Sequence, residues 1–355
     1  LLALTLGLGA CAAVEGPGAE APHHRSGGFG NNHVEFASKD LTEFLRWRWN
    51  AVRQGLPRPP QQATPTVAPD LEFIARNARA GEAMVPSATW IGHASTLVQA
   101  GGLNILLDPI FSERASPVSI VGPKRAQPPG LALNQLPRVD LVLISHNHYD
   151  HLDEPSLLAL QRQAGGPPQF VVPLRLKAWL ESIGLTRVVE LDWWRSHRVG
   201  STEVVLTPVQ HWSARGLTDR MATLWGGYAV ITPRFSVYYA GDTGYSKDFA
   251  ETRARLARKL PRGGFDLAVL PVGGYEPRWF MATQHINPAE AVQIHLDLGA
   301  RRSMGVHWGT FELTDEPLDQ PPRDLAAARQ ARGLADDAFF VLAIGETRRF
   351  DDPRP

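Results

Sequence analysis

From Ser87 onward the chain reads as short apolar or alternating runs separated by polar breaks. "SATWIGHASTLVQA", "LNILLDP", "VDLVLIS", "QFVVPL", "TEVVLTPVQ", "YAVIT", "FSVYYAGD", "FDLAVLPVG", "RSMGVHWG" and "FFVLAIGE" are rich in β-branched and aromatic residues, and many stop at glycine, histidine or aspartate. Runs of that length and composition predict strands. Between them "EPSLLALQRQ", "RLKAWLESIG", "KDFAETRARLARKL", "PAEAVQIHLDLG" and "PPRDLAAARQARG" carry helical spacing. Strands in hairpin-like order, with helices between and after them, predict an α/β protein whose sheets are covered by helices. No fixed internal period indicates a solenoid or propeller.

The beginning of the chain follows a different pattern. "DLTEFLRWRWNAV" (Asp40 to Val52) predicts a helix with its aromatic residues spaced for one face, whereas "PRPPQQATPTVAPD" is too proline-rich for regular structure and predicts an extended arm over the domain. Residues 12–39, dominated by Gly, Pro, Ala and His, predict a flexible tether. The apolar run ahead of them is too short to span a bilayer and reads as part of a signal peptide. Its "LGAC", Leu8 to Cys11, resembles the bacterial lipobox, so lipidation of Cys11 and a lipid-anchored place in the cell envelope are expected. The expected organisation is therefore a partial signal at 1–11, a tether at 12–39 and one folded domain with an N-terminal arm at 40–355.

Lys plus Arg and Asp plus Glu are equal at 36 each, so no overall field draws the chain to nucleic acid. Cys11 is the only cysteine, which excludes an internal disulfide and a cysteine-rich metal site. Attention shifts to the 12 histidines. Four apolar runs end at metal-ligating side chains: "VDLVLIS" leads into His146, His148, Asp150 and His151, "TEVVLTPVQ" into His211, "FSVYYAG" into Asp242 and "RSMGV" into His307. A lone histidine at a strand end is more often a hydrogen-bonded structural residue than a ligand. The loop "HNHYDH" is different, because strand alternation puts His146 and His148 on one side and a turn at Tyr149 swings Asp150 and His151 to a second position. Seven imidazole and carboxylate ligands suffice for two divalent ions with open positions, and a donor set without thiolate suits zinc, iron or manganese without choosing among them. Spacing alone does not assign the seven to one ion or the other.

"HxHxDH", a later histidine, "GDTG" and a final "HWG" together resemble the metallo-β-lactamase superfamily. "WIGHASTLVQ", "ISHNHYDHLD", "PVQHWSAR", "YYAGDTGYS", "QHINPAEAVQIH" and "SMGVHWGTFELTDEP" narrow the resemblance to its N-acyl-phosphatidylethanolamine-hydrolysing phospholipase D group. The resemblance implies a four-layer αββα sandwich with a dinuclear site at the strand ends. It further implies that His146, His148 and His211 hold one ion, that Asp150, His151 and His307 hold the other, and that Asp242 bridges them. The implied reaction is hydrolysis of a membrane phospholipid to phosphatidic acid and an N-acylethanolamine, with Asp242, Asp150 and His285 as catalytic residues. His285, in "ATQHINP", would protonate the leaving group or touch the phosphate, and Asp153 would orient a ligand histidine. Tyr149 and Arg278 are candidate phosphate contacts, while Trp193, Trp194, Trp279 and Phe280 would form an apolar rim for acyl chains. Two other readings remain: a lactonase or amidase on the same metal site, and a non-catalytic lipid-binding lipoprotein of the envelope.

Overall fold

The strands nearest the centre of the chain are apolar on both faces, and their packing explains why. Leu141 and Leu143 join one cluster with residues of the second sheet, among them Val204, Leu206, Tyr228 and Val230. Their neighbours Val142 and Ile144 belong to a second cluster with Phe73, Ile74, Leu157 and Leu180 on helices. A strand buried from both sides cannot alternate apolar with polar.

The computed structural model describes residues 21–35, 39–260 and 262–350. After a small hairpin, β1 (His24–Arg25) and β2 (Gly28–Phe29), the first sheet is built from β3 (Ser87–Gly92), β4 (Ser95–Ala100), β5 (Leu103–Leu107), β6 (Leu141–Leu143), β7 (Gln169–Pro173) and β8 (Val188–Leu191). The second contains β9 (Ser196–Val199), β10 (Thr202–Thr207), β11 (Gly227–Ile231), β12 (Ser236–Tyr239), β13 (Leu267–Pro271), β14 (Arg302–Val306) and β15 (Phe339–Val341). The last strand, β16 (Thr347–Arg349), returns to pair antiparallel with β3, giving two seven-stranded sheets. Each sheet opens with antiparallel strands and finishes with parallel ones, β5 to β8 and β12 to β15.

Helices α1 (Leu41–Gln54), α2 (Leu71–Asn77), α3 (Glu154–Gln161), α4 (Lys177–Ser182), α5 (Asp248–Leu256), α6 (Arg278–Met281), α7 (Pro288–Asp297) and α8 (Gln320–Ala331) complete the elements. Residues of α2, α3 and α4 cover the first sheet, and residues of α5, α7 and α8 cover the second. The architecture is thus the expected αββα sandwich. The proline-rich arm runs along the domain: Thr64 Oγ1 donates to Gly309 O at 2.7 Å and Val67 N to Ile344 O at 2.9 Å.

Two features depart from the sequence reading. Strands β8, β9 and β16 were not foreseen, because runs of three or four residues with polar positions fall below what hydrophobic periodicity resolves; β9 forms an edge. Residues 21–35, placed in the flexible tether by composition, instead pack on the domain. Phe29 is buried, its N–H donates to Met221 O at 2.9 Å, and the Asn31 side chain reaches His211. A few specific contacts fix a segment whose average composition predicts disorder. Cys11 and the signal-like run lie outside the described residues.

Candidate metal centre

The metal loop leaves β6 at the same edge where β10, β12 and β14 end, so residues 145–153 of the first sheet face His211, Asp242 and His307 of the second. Glycine makes the approach feasible at Gly241, whose φ is +61° and where a Cβ would lie 2.5 Å from the Ser145 Cβ. The preceding strand thereby delivers Asp242 against the loop.

All seven sequence candidates converge. His148 Nδ1 lies 2.8 Å from His146 Nε2 and 3.4 Å from His211 Nε2. Nearby, Asp150 Oδ2 lies 3.4 Å from Nε2 of both His151 and His307. Asp242 Oδ2 stands between the groups, 3.1 Å from His151 Nε2, 3.2 Å from His307 Nε2 and 4.0 Å from His146 Nε2. Ligand bonds of about 2.1 Å at tetrahedral angles place donor atoms roughly 3.4 Å apart, so these spacings fit cations of zinc size. His151 Nε2, His307 Nε2 and Asp242 Oδ1 are also buried without a hydrogen-bond partner among the described residues. Buried polar atoms of native proteins are normally paired, and two ions would satisfy these.

Electrostatics agrees with the donor chemistry. Burial lowers His146 well below the ordinary imidazole value and takes His148 to about 4 and His211 to about 3, leaving neutral rings of the form that ligates metal. At His307 burial also opposes the charge, but Asp242 and Asp150 outweigh it and raise the ring to about 9. Asp150 and Asp242 resist the upward push of burial because His151 and His307 stand beside them, and both are held well below the carboxylate range. Two carboxylates against these rings leave a site that attracts positive charge.

Residues the sequence reading passed over hold the ligands in place. Asp108, fully buried at the end of β5, accepts from Ser145 N at 2.7 Å, Ser145 Oγ at 2.5 Å, Tyr239 OH at 2.5 Å and His151 Nδ1 at 2.6 Å. It therefore ties β5, the metal loop and β12 together and aims His151 Nε2 at the centre, as such outer carboxylates do. His211 Nδ1 donates to Gln284 O at 2.9 Å, and the Asn31 side chain brackets the His211 backbone at 3.0 Å on both N–H and carbonyl. His93, at the end of β3, contacts Asp150 Oδ2 at 2.9 Å and packs 4.1 Å from the His307 ring. His93, Asp108 and His307 all have positive φ, +52°, +33° and +65°. Backbone strain of this kind concentrates at functional sites. The strand-end rule that found the ligands applies equally to "LLDP" and "WIGH" and would have found both Asp108 and His93.

A cavity of about 440 Å³ opens onto the centre. His148, Asp150, Asp242, His285 and His307 form its floor, Leu41, Phe44, Trp47, Phe280, Met281 and Leu313 supply apolar wall, and Lys39 and Arg220 add positive charge. His285 is thus in the site, its Nδ1 3.8 Å from Asp242 Oδ2, but burial lowers it to about 3 and the ring is neutral. A neutral imidazole can donate one hydrogen bond; the proposed proton delivery to a leaving group would require a charged ring.

Several substrate candidates lie elsewhere. Trp193 is a core residue, buried, stacked 4.3 Å from His23 and donating its indole N–H to Trp225 O at 2.6 Å. Trp194 carries the Arg255 guanidinium 4.4 Å from its ring and does not line the cavity. Arg278 Nη2 donates to both Glu290 carboxylate oxygens, at 2.8 and 3.0 Å, and its Nη1 donates to His285 O at 2.8 Å, which makes it a brace for the His285 segment, with its guanidinium engaged by protein groups in place of phosphate. Tyr149 faces a separate depression, where its OH donates to Arg215 O at 2.9 Å beneath the Arg215 guanidinium. Trp279 sits outside the cavity beside α1, half exposed. Of the expected apolar rim, Phe280 alone lines the cavity. Asp153 accepts from Ser112 Oγ at 2.7 Å and from the Ser112 N–H at 3.2 Å, bracing the start of α3 against that segment.

Comparison with known proteins decides the family. Residues 103–308 match the β-lactamase superfamily domain. The chain belongs to the β-lactamase superfamily. It is 41% identical over 272 residues to N-acyl-phosphatidylethanolamine-hydrolyzing phospholipase D 1 of Caenorhabditis elegans, covering 73% of this chain and 74% of the nematode protein. An uncharacterized protein of Mycobacterium tuberculosis is 38% identical over 330 residues, 91% of this chain and 84% of that one. Among solved structures, the isothiocyanate hydrolase from Delia radicum gut bacteria superposes with a TM-score of 0.57 at 21% identity over 74% of this chain and 99% of that one. That last likeness speaks for the fold alone. The superfamily member described here is a metal-dependent hydrolase.

Proposed function

We propose that the protein is a phosphodiesterase of phospholipase D type that hydrolyses a phospholipid, N-acyl-phosphatidylethanolamine, to phosphatidic acid and an N-acylethanolamine. The observation that carries this reading is the cavity itself. Its floor is a cluster of carboxylates and imidazoles, and its walls are hydrocarbon and aromatic, a match for a phosphodiester joined to acyl chains. Similarity to the nematode phospholipase supports the same substrate class.

His146, His148 and His211 would hold one divalent ion, and Asp150, His151 and His307 the other, with Asp242 between them. Zinc suits the imidazole and carboxylate set, with iron and manganese as alternatives. Two such ions supply a nucleophile at neutral pH and a clamp for phosphoryl oxygens. The chain's own groups do the remaining work. Asp108 fixes the ring nitrogen that His151 presents, and Gln284 does the same for His211. Lys39 and Arg220 bring positive charge to the wall where a phosphate enters, and neutral His285 donates a hydrogen bond to a substrate oxygen. Phe44, Trp47, Phe280 and Met281 exclude water and seat the lipid chains. The proposal also places the chain in the bacterial envelope, anchored through Cys11, on the support of the Leu8 to Cys11 motif.

The test loads the protein separately with zinc, iron and manganese and incubates it with vesicles containing the substrate in water enriched in heavy oxygen. Labelled phosphatidic acid with unlabelled N-acylethanolamine is the expected result. Label in free fatty acid would mean attack at a carbonyl and would replace the phosphodiesterase reading with the amidase one.

A further inference from the structure

The helix above the cavity carries an unusual outer face. Leu41, Leu45, Trp49 and Val52 recur at spacings of four, four and three along α1, which places them on one stripe. They are 71%, 56%, 64% and 71% exposed, while Trp47 and Ala51 bury the opposite side. A continuous apolar stripe is the part of an amphipathic helix that normally faces a core; left outward on a protein surface, it marks an interaction site.

Charge and position identify the occupant. Lys39, Arg46, Arg48 and Arg53 surround the stripe. The two acids of the segment, Asp40 and Glu43, are engaged with each other's backbone in the capping box at the first turn, and Glu43 also accepts from Lys39 Nζ at 3.3 Å, so the arginines carry the positive border. Beside the helix, Trp279 is 44% exposed, with the Arg46 guanidinium 5.3 Å from its ring and its carbonyl accepting from Lys39 Nζ at 3.3 Å. Apolar residues with tryptophan along a stripe and arginine at its borders are the chemistry of a helix lying in the boundary of an anionic bilayer. Among the described residues no helix is long and apolar enough to cross a membrane, so α1 can lie on a bilayer but not span it. The stripe is continuous with the cavity: Leu41 at its start and Phe44 next to it line the wall that leads down to Asp150 and Asp242.

We propose that the outer face of α1 docks on an anionic lipid bilayer and sets the mouth of the metal cavity on that surface. This inference rests on the phospholipid reading above. Docking leaves a lipid to slide along Leu41 and Phe44 into the cavity, so its acyl chains pass from bilayer to apolar wall without crossing water.

The experiment uses the full chain with Cys11→Ser, which removes any lipid anchor, and compares it with the same protein carrying Leu45→Glu and Trp49→Glu. Both replaced residues point outward and neither lines the cavity. Flotation is read with phosphatidylcholine vesicles with and without phosphatidylglycerol. The parent should float with anionic vesicles, and the variant should bind them about tenfold or more weakly, since each charge enters an apolar boundary. Metal content and hydrolysis of a water-soluble short-chain phosphodiester should be unchanged, while turnover of vesicle-borne substrate falls with binding. A parent that does not float, or a variant that floats equally well, overturns the proposal. So does light scattering that shows a parent dimer dissolved by the two substitutions, which would give the stripe to a second copy. If neither protein cleaves the soluble phosphodiester, the catalytic reading fails, and flotation still decides the docking face.

Discussion

Asp108→Asn is the perturbation that most directly probes how the site is held. The carboxylate takes four hydrogen bonds, from Ser145 N, Ser145 Oγ, Tyr239 OH and His151 Nδ1, in a fully buried position. The asparagine oxygen can keep the Ser145 N–H. Its NH₂ then faces the other three groups at 2.5 to 2.6 Å. Both hydroxyls can turn and accept, whereas the imidazole can accept only by moving its proton to Nε2, the atom that faces Asp150 and Asp242. Keeping the original tautomer instead leaves opposed buried donors, at about 1–3 kcal/mol. Either outcome weakens the ion on the His151 side by about 10–100-fold, the range for lost outer partners of a metal ligand. His146 feels the change one step further away, through Ser145 Oγ, so the ion on that side should be retained. Chelator competition with metal counting reads this as one ion lost before the other, with a melting curve to confirm the fold. Two ions held with unchanged affinity would refute the role given to Asp108.

Three further outcomes follow from particular contacts. Asn31→Ala removes both bonds to the His211 backbone and should lower affinity for the ion on the His146 side by about tenfold, read by the same competition. Trp193→Ala should cost about 3–5 kcal/mol of stability as a core truncation, with KM for the proposed phospholipid substrate unchanged; a raised KM at unchanged stability would return Trp193 to the substrate rim. The third concerns Asp192. Burial would raise its carboxyl, but the hydrogen bonds from His23 at 2.7 Å and His24 at 3.0 Å outweigh it and hold the pKa low. A depressed carboxyl pKa stabilises the fold above the unfolded value of about 3.9 and loses that contribution as pH falls through the folded one. Hydrogen exchange of residues 21–35 should therefore accelerate below about pH 4, and Asp192→Asn should remove that pH dependence.

The sequence made the ligands legible because most of them are local. Four of the seven sit within six residues after one strand, and the other three each end an apolar run, so pattern and chemistry coincide. The covered sheets were legible for a similar reason, since an apolar run such as Leu141 to Ile144 fits a strand packed on both sides, while the four-layer arrangement of those sheets came from the family resemblance. What the sequence concealed depends on contacts between distant residues. Asp192 and His23 are far apart along the chain, as are Asn31 and His211, and no window sees either pair. The same holds for Trp193, whose place in the core is decided by Trp225 O, and for Arg278, whose guanidinium was given to phosphate by residue type and to Glu290 and the His285 carbonyl by geometry.

Asp108 shows where the boundary lies. It ends "NILLD" as Asp242 ends "VYYAGD", and by residue type the two are indistinguishable. The difference is the surroundings: Asp242 Oδ2 faces three imidazole Nε2 atoms, His151, His307 and His146, whereas Asp108 faces two hydroxyls, a backbone N–H and the Nδ1 of one of those same rings. A carboxylate satisfied by ordinary donors orients its neighbours, and one that gathers several ligand nitrogens round a single oxygen is placed to share a cation with them. Residue type therefore nominates the members of this centre, while the hydrogen-bond partners assign their roles.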